Sequence, residues 1–524
     1  MKVNPYVFFI SAGIILVFLF LGTVFTDPVN QAFQLLQDGI ALHFGWFYIL
    51  SVGFFLLFIL WLFFSPYGKI RLGKSHNRPE FSNVSWFAML FSAGMGIGLL
   101  FYSVAEPVLH FTNPPYTEPM SSESARQAMI LTFYHWGLHA WAIYIVVGLS
   151  LAYFAYRYDL PLSIRSTLYP VLGDRIYGTL GNLVEILAVF GTLFGVATSL
   201  GLGVQQVNAG LSYLGVLSES QGNQLILIAL ITAVATASVV SGLDNGIRRL
   251  STLNLLFGVL LLLFVLFTGP TRFLFGSMVQ STGFYLQDLV GLTFQTDVFR
   301  GMEWKKQWTL FYWGWWISWS PFVGMFIARV SRGRTIRQFI GGVLLVPTLM
   351  TFVWMVVFGH TAIHSELFGQ GGISGAVSSS VPTALFALLE QLPMPTISSL
   401  LATLVVATFF ITSSDSGSLV IDILTSGGDP EPPVAQRIFW ALTEGAVAAV
   451  LLIAGGLLAL QTAVITTALP FCVIMIFMCY SLRKGLRADP IAADSANPTS
   501  SSEHDPKEAE RSAGKPESGK GEST

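Results

Sequence analysis

Tryptophan at helical spacing is the most chemically distinctive feature of this sequence. Residues 311–322 read Phe311-Tyr312-Trp313-Gly314-Trp315-Trp316-Ile317-Ser318-Trp319-Ser320-Pro321-Phe322. At about 100° per residue, Trp316 and Trp319 project about 60° apart and Trp315 and Trp319 about 40° apart, so one face of such a helix is crowded with indole. A second stretch, His135-Trp136-Gly137-Leu138-His139-Ala140-Trp141-Ala142-Ile143-Tyr144, spreads Trp136, Trp141 and Tyr144 over an arc of about 140°. Two such faces can close on one cavity. Indole offers the strongest cation–π surface, worth about 2 kcal/mol when desolvated, and aromatic cages hold quaternary ammonium groups with no carboxylate partner. The competing explanation is a belt of tryptophans at headgroup level. Belt residues sit near helix ends, whereas these lie well inside their apolar windows.

Polar groups in the same apolar stretches supply further chemistry. Phe409, Thr412 and Ser413 stand at i, i+3 and i+4, which puts hydroxyl and carbonyl oxygens on one helix face. Gly94-Met95-Gly96-Ile97-Gly98 has glycine at alternate positions, each weakening a helix by roughly 1 kcal/mol relative to alanine. Hydroxyls plus the carbonyls freed by unwinding make a hard-oxygen site suited to Na⁺. Charges inside a membrane span are functional candidates, which singles out Glu106, Glu444 and Asp415 in Thr412-Ser413-Ser414-Asp415-Ser416-Gly417-Ser418. Asp415 could bind a proton or sodium, or brace a broken helix; bracing fits better, because sodium prefers neutral oxygens when its co-substrate is zwitterionic. His135 and His139 have the spacing of metal-binding histidines. With no Glu after the first and no third ligand in view, they read as packing and hydrogen-bonding partners. Neither a nucleophile and base pair nor a metal cluster is visible, so an enzyme is the least favoured class.

Composition sets the surroundings in which these groups work. Of 524 residues, 53% are hydrophobic and only 11% charged, against about 25% charged in soluble domains. The solvent of this chain is largely lipid. A net charge of -2 argues against a nucleic-acid surface. Cys472 and Cys479 lie seven apart in an apolar segment and read as packed thiols. Lys2 precedes an apolar stretch from Val7 to Phe25 without a small-residue cleavage site, so that stretch reads as a first span and not a signal peptide.

Apolar windows of roughly 20 residues, the length needed to cross a bilayer, recur about twelve times. Lys and Arg in short connections tend to stay cytoplasmic. They gather at Lys69, Arg71, Lys74 and Arg78, at Arg157, Arg165 and Arg175, at Arg248 and Arg249, at Arg329, Arg332, Arg334 and Arg337, at Arg437, and at Arg483, Lys484 and Arg487. Alternate connections such as 206–223 and 361–393 carry none. The exception is the connection holding Arg272, Arg300, Lys305 and Lys306. Twelve spans with both termini inside fit the rest, in the cytoplasmic (inner) membrane. Residues 275–299 read as an external, interfacial amphipathic helix. From Ala488 the chain turns to Ser, Pro, Glu, Lys and Gly, the composition of a disordered tail.

Two windows read as interrupted: the third at its glycines, and the eighth at Ser318-Trp319-Ser320-Pro321, where proline removes a backbone bond. Each opens a half of five helices. Paired interruptions point to an inverted repeat around a midplane site. The organisation expected is two N-terminal helices and a loop over 1–82, a first repeat over 83–270, an external connection over 271–305, a second repeat over 306–485 and a tail over 486–524.

Gly94-Met95-Gly96-Ile97-Gly98 leading to Glu106-Pro107, His135-Trp136-Gly137-Leu138-His139 before Trp141, and Trp313 to Arg329 followed by Ser331-Arg332-Gly333-Arg334 together resemble the betaine/choline/carnitine transporter family, over roughly residues 5–485. The resemblance implies an all-α integral membrane protein of twelve helices. Its fold would be leucine-transporter-like, with two inverted five-helix repeats and two extra N-terminal helices, and its usual assembly a homotrimer. It makes Trp136, Trp141, Tyr144 and Trp316 the cage around a substrate cation, with Trp315 and Trp319 lining the pathway. Ser92, Met95, Phe409, Thr412 and Ser413 match one sodium site. A second sodium site would use Thr192 and Phe322 with a threonine where Val196 stands. Valine offers no oxygen and Thr198 is out of phase, so a two-sodium stoichiometry is left open.

Gly98 bears on the substrate. Choline carriers of the family tend to place an aspartate there, so glycine implies a solute that brings its own carboxylate. Glycine betaine leads, with dimethylsulfoniopropionate close behind. The expectation is a non-enzymatic importer of a zwitterionic onium solute by Na⁺ symport and alternating access, with Na⁺ as coupling ion and no other cofactor. Its rivals are proton-coupled or exchange transport of choline or carnitine and, from another class, an onium-binding membrane osmosensor or channel. The tail beyond Ala488 holds more acids than bases, unlike the long basic helix of osmotically gated carriers, so strong osmotic gating through it is not expected.

Overall fold

The structure is a computed structural model that describes residues 3–94, 96–241 and 244–489. Met95 and the tail beyond residue 489, both singled out above, lie outside the described residues. In hydrocarbon every backbone N–H and C=O must be satisfied within the protein, which leaves helices as the building unit for such an apolar chain. The described residues contain helices and one isolated bridge, Arg71 to Thr335.

The principal helices are α1 (Pro5–Val24), α2 (Thr26–Phe64), α3 (Asn83–Gly94), α4 (Ile97–Thr112), α5 (Ser122–Trp136), α6 (Leu138–Arg157), α7 (Thr179–Tyr213) and α8 (Gln221–Ser241). They continue with α9 (Asp244–Thr268), α10 (Thr271–Phe294), α11 (Thr309–Val330), α12 (Ile336–Met355), α13 (Thr361–Phe368), α14 (Pro395–Thr425), α15 (Val434–Gly455) and α16 (Leu457–Arg487). Ten helical segments among the described residues are long and apolar enough to cross a membrane, α5 with α6 and α12 with α13 each counting as one. Capping boxes fix two starts: Ser121 with Ser124 opens α5, and Thr335 with Gln338 opens α12. Each satisfies orphan N–H groups reciprocally.

The breaks fall partly where the sequence placed them. α3 and α4 are separated at the glycine run as expected. The eighth window, however, is not interrupted: α11 runs unbroken through Pro321. Proline leaves the carbonyl of Ile317 without its helical donor, and the Ser320 hydroxyl donates to that carbonyl instead at 2.7 Å. The matched pair of breaks on which the repeat argument rested is therefore absent. A break that sequence spacing missed lies at Gly137, between α5 and α6. There a Cβ would stand 2.4 Å from the Phe133 carbonyl oxygen. A π-helical turn, Val356–His360, joins α12 to α13.

The two ends of the bundle sort the connections. At one end Leu72 N–H donates to Arg334 O (2.8 Å), Lys74 meets Asp159 (2.5 Å), Arg165 donates to Gly427 O (3.3 Å) and Lys484 donates to Pro170 O (2.6 Å). These join the connections that the Lys and Arg distribution assigned to one side. At the other end Tyr116 donates to Asp297 (2.6 Å) and Arg300 to Pro115 O (2.9 Å). Two of the cations that broke the pattern are paired there: Lys305 lies 3.6 Å from Asp297, and Lys306 lies 2.8 Å from Asp38. Burial lowers the Lys305 pKa while Asp297 opposes the shift. Residues 271–294 form the expected helix, α10, with Phe275, Val279, Leu286 and Val290 exposed.

α11 is the hub, packed against α6, α7 and α16. It meets α6 backbone to backbone: a Cβ on Gly148 would stand 3.1 Å from Gly324 O, and one on Gly324 3.0 Å from Gly148 N. Small residues of this kind let membrane helices approach closely. That approach brings the two aromatic faces together.

Candidate functional site

Trp136 at the end of α5, Trp141 and Tyr144 on α6, and Trp315, Trp316 and Trp319 on α11 line one small cavity of about 30 Å³. The rings touch one another. Trp315 and Trp316 stack at 4.8 Å with 14° between planes, Trp136 meets Trp316 edge-on at 5.0 Å, and Tyr144 lies 6.3 Å from Trp316 and 6.4 Å from Trp319. Because of the break at Gly137, the arc drawn for an unbroken helix does not describe these residues. The turn separates Trp136 from Trp141 and Tyr144, yet all three still face α11. Trp313 does not join them; it stacks on His139 and meets Tyr134 edge-on.

Further lining comes from the broken helix. Gly96, Ile97 and Gly98 line the cavity, and α4 begins there with no side-chain cap. A helix N-terminus with free N–H groups is a site for an anion. At Gly98 a Cβ would stand 2.5 Å from Trp315 and 3.2 Å from Trp136, so any side chain there displaces these indoles.

A larger cavity of about 450 Å³ adjoins the first. Ser92, Phe409, Thr412, Ser413 and Phe322 all line it, while Trp319 and Ser413 belong to both cavities. The oxygen-bearing residues read from α14 and Ser92 of α3 are thus brought together beside the aromatic cavity. Thr192 is not among the residues lining it; its hydroxyl donates to Ala188 O at 2.8 Å within α7. Val196 is buried against the position of Gly417, and the Thr198 hydroxyl donates to Leu460 O at 3.1 Å.

Behind the aromatic cavity lies a polar network that sequence spacing only partly announced. Glu106 on α4 is fully buried and accepts four donors. Oε1 faces His135 Nδ1 (2.7 Å) and His110 Nε2 (3.2 Å); Oε2 takes the Trp136 indole N–H (2.7 Å) and the Tyr312 hydroxyl. His135 Nε2 meets the Thr309 hydroxyl at 3.1 Å, and the His135 carbonyl accepts the Trp316 indole N–H at 2.9 Å. Two of the tryptophans lining the cavity are thereby oriented through their N–H groups. Trp315 is held from α7 by Ser199 at 3.3 Å.

The histidines correct one expectation. A third ligand does exist for His135: Glu106, His110 and His135 present ligand atoms within 4.8 Å of one another. His139 is elsewhere, bonded to Thr293 at 2.9 Å. The four donors already on Glu106 make this trio a hydrogen-bond hub. Its only sequence signal was Glu106 and His110 at i and i+4.

A family model described as BCCT, betaine/carnitine/choline family transporter, matches residues 6–491. Among curated proteins, the chain is 49% identical to a glycine betaine transporter of Acinetobacter baylyi, over 93% of this chain and 74% of the relative. It is 47% identical to a glycine betaine/proline/choline/ectoine transporter of Vibrio parahaemolyticus, over 93% of this chain and 87% of the relative. It is 42% identical to a high-affinity choline transport protein of Escherichia coli, over 95% and 74%.

Proposed function

The chain belongs to the betaine/carnitine/choline family of transporters, and from that premise we propose that it imports a zwitterionic onium solute by Na⁺ symport. The observation that carries this reading is the shared wall between two cavities. Aromatic rings from α5, α6 and α11 surround one, oxygens from α3 and α14 line the other, and Trp319 and Ser413 belong to both. It is a membrane transporter and not an enzyme.

Each half of the solute has a partner. The onium group takes the faces of Trp136, Trp141, Tyr144 and Trp316, with Trp315 and Trp319 beside it, by cation–π attraction. The carboxylate takes the N-terminus of α4 at Gly96 to Gly98, where free N–H groups and the helix dipole favour an anion. A cavity of about 30 Å³ exceeds the roughly 10–15 Å³ that one water needs but is smaller than an onium headgroup, so the rings must part to admit it and close again around it. Sodium at Ser92, Phe409, Thr412 and Ser413, with Met95, would hold α3 and α14 in place while this happens. The site built from Thr192 and Phe322 has one hydroxyl and no second oxygen at Val196, which supports one sodium rather than two.

Glycine betaine is the leading solute, supported by the names of the Acinetobacter and Vibrio relatives and by Gly98, which supplies no carboxylate to pair with choline. Dimethylsulfoniopropionate fits the same cage, because the cation–π term does not distinguish sulfonium from ammonium. Twelve passes, the two five-helix repeats, a homotrimer, and an inner-membrane location with both termini cytoplasmic belong to the same proposal. The grouping of Lys- and Arg-bearing connections at one end of the bundle supports the orientation. A competition panel tests the substrate: unlabelled glycine betaine and dimethylsulfoniopropionate should displace labelled glycine betaine at lower concentration than choline or carnitine. Choline displacing it best would reverse the assignment.

A further inference from the structure

α14 carries a buried polar stripe through an apolar helix: Ser414, Ser418, Asp422 and Thr425, at i, i+4, i+8 and i+11. α15 answers with Glu444, Trp440 and Gln436, also buried. Ser418 and Ser414 hydroxyls donate to Glu444 Oε2 at 2.9 and 3.4 Å. Further along, Gln436 Nε2 and Trp440 Nε1 donate to the Thr425 hydroxyl at 2.7 and 3.2 Å. Glu444 has no exposed surface, and its second oxygen, Oε1, has no hydrogen-bond partner.

The groups facing Glu444 do not neutralise it. Asp422 and Asp415 of α14 act on it as like charges. Arg437, seven residues before it on α15, acts on Asp422. α8 has no ionisable residue in its sequence and contributes Thr232, whose hydroxyl is itself unpartnered. α7 contributes Val196, while its buried acid, Glu185, is engaged by Arg165. α1 has only the exposed Tyr6, and the buried groups of α16 are the thiols Cys472 and Cys479. A buried carboxylate without a cation is costly, by several kcal/mol. Gly417 and Val196 lie close beside Oε1: a Cβ on Gly417 would stand 3.2 Å from Oε1 and 2.9 Å from Val196. A proton needs no added space.

We propose that Glu444 is a proton-binding site coupled to solute movement, distinct from the sodium site. One end of its stripe adjoins Ser413, which lines both cavities. The other reaches the connection between α14 and α15, where Gln436 meets Ser426 at 3.1 Å. A proton arriving past Ser414 forms an O–H bond on Oε1 and neutralises the carboxylate. When α14 and α15 shift in the transport cycle, that bond breaks, the proton leaves by way of Asp422, and the carboxylate is restored.

The test uses the full chain in proteoliposomes that contain a pH-sensitive dye, with glycine betaine as probe. At a fixed sodium gradient, acidifying the outside should raise uptake several-fold, and adding glycine betaine should acidify the lumen. Glu444→Gln, nearly isosteric, should abolish both responses while sodium-driven uptake persists. A wild type that shows neither response, or a Glu444→Gln variant that keeps both, overturns the proposal. If the variant does not fold, the wild-type dye response decides alone. Sodium-driven uptake on the same vesicles separates failure of this proposal from failure of the transport reading.

Discussion

Glu106 Oε2 accepts the indole N–H of Trp136 at 2.7 Å. A carboxylate at no contact distance from solvent thus fixes the azimuth of a ring that the cage needs. Hydrogen bonds to charged groups are worth about 1.5–3 kcal/mol. Glu106→Leu, which leaves four donors without an acceptor, should raise the apparent Km for glycine betaine by roughly tenfold to a hundredfold. Glu106→Gln can keep its carbonyl towards Trp136 if His135 and His110 both change tautomer to accept from its amide, and should cost far less. Equal Km values for the two variants would contradict the orienting role.

Trp316 stacks on Trp315, meets Trp136 edge-on and is tied to His135 O. Trp316→Leu removes its cation–π face and should weaken apparent affinity by roughly 30-fold, corresponding to about 2 kcal/mol. Trp313→Leu, altering a ring that faces His139, should leave affinity near wild type. Uptake kinetics at matched expression give both numbers.

At Gly98 any side chain meets Trp315 and Trp136. Gly98→Asp should therefore lower glycine betaine uptake by an order of magnitude or more, while the new carboxylate improves choline relative to betaine. Gly98→Ala should lower both alike. A Gly98→Asp variant that still prefers betaine would contradict the assignment of this edge of the cavity.

Thr412 and Ser413 line the larger cavity, and Thr192 does not. Thr412→Val and Ser413→Ala should each raise the sodium concentration for half-maximal uptake several-fold. Thr192→Val should leave it unchanged, since Thr192 is not among the residues lining that cavity.

Much of this was legible in the sequence because tryptophans and alternate glycines are rare and periodic: the six aromatic residues singled out line one cavity, and the break before α4 falls at the glycine run. Local rules failed where a substitute bond existed. Pro321 did not break α11, because Ser320 supplies the donor that proline lacks. Gly137 did break its helix, at a point where a Cβ would stand 2.9 Å from Phe352 of α12, a tertiary approach that spacing does not show. The partnership of Glu106 with Tyr312, some 206 positions away, has no local signature. Nor does the turn of Trp313 away from its neighbours, which is set by where His139 and Tyr134 lie.

The central claim is that a sodium gradient drives onium solute into the aromatic cage. Its most direct test is uptake of labelled glycine betaine into proteoliposomes under an inward Na⁺ gradient, compared with an equal K⁺ gradient. The account predicts accumulation above equilibrium with Na⁺ alone. Equal accumulation under both gradients, or none beyond equilibrium under either, would contradict it.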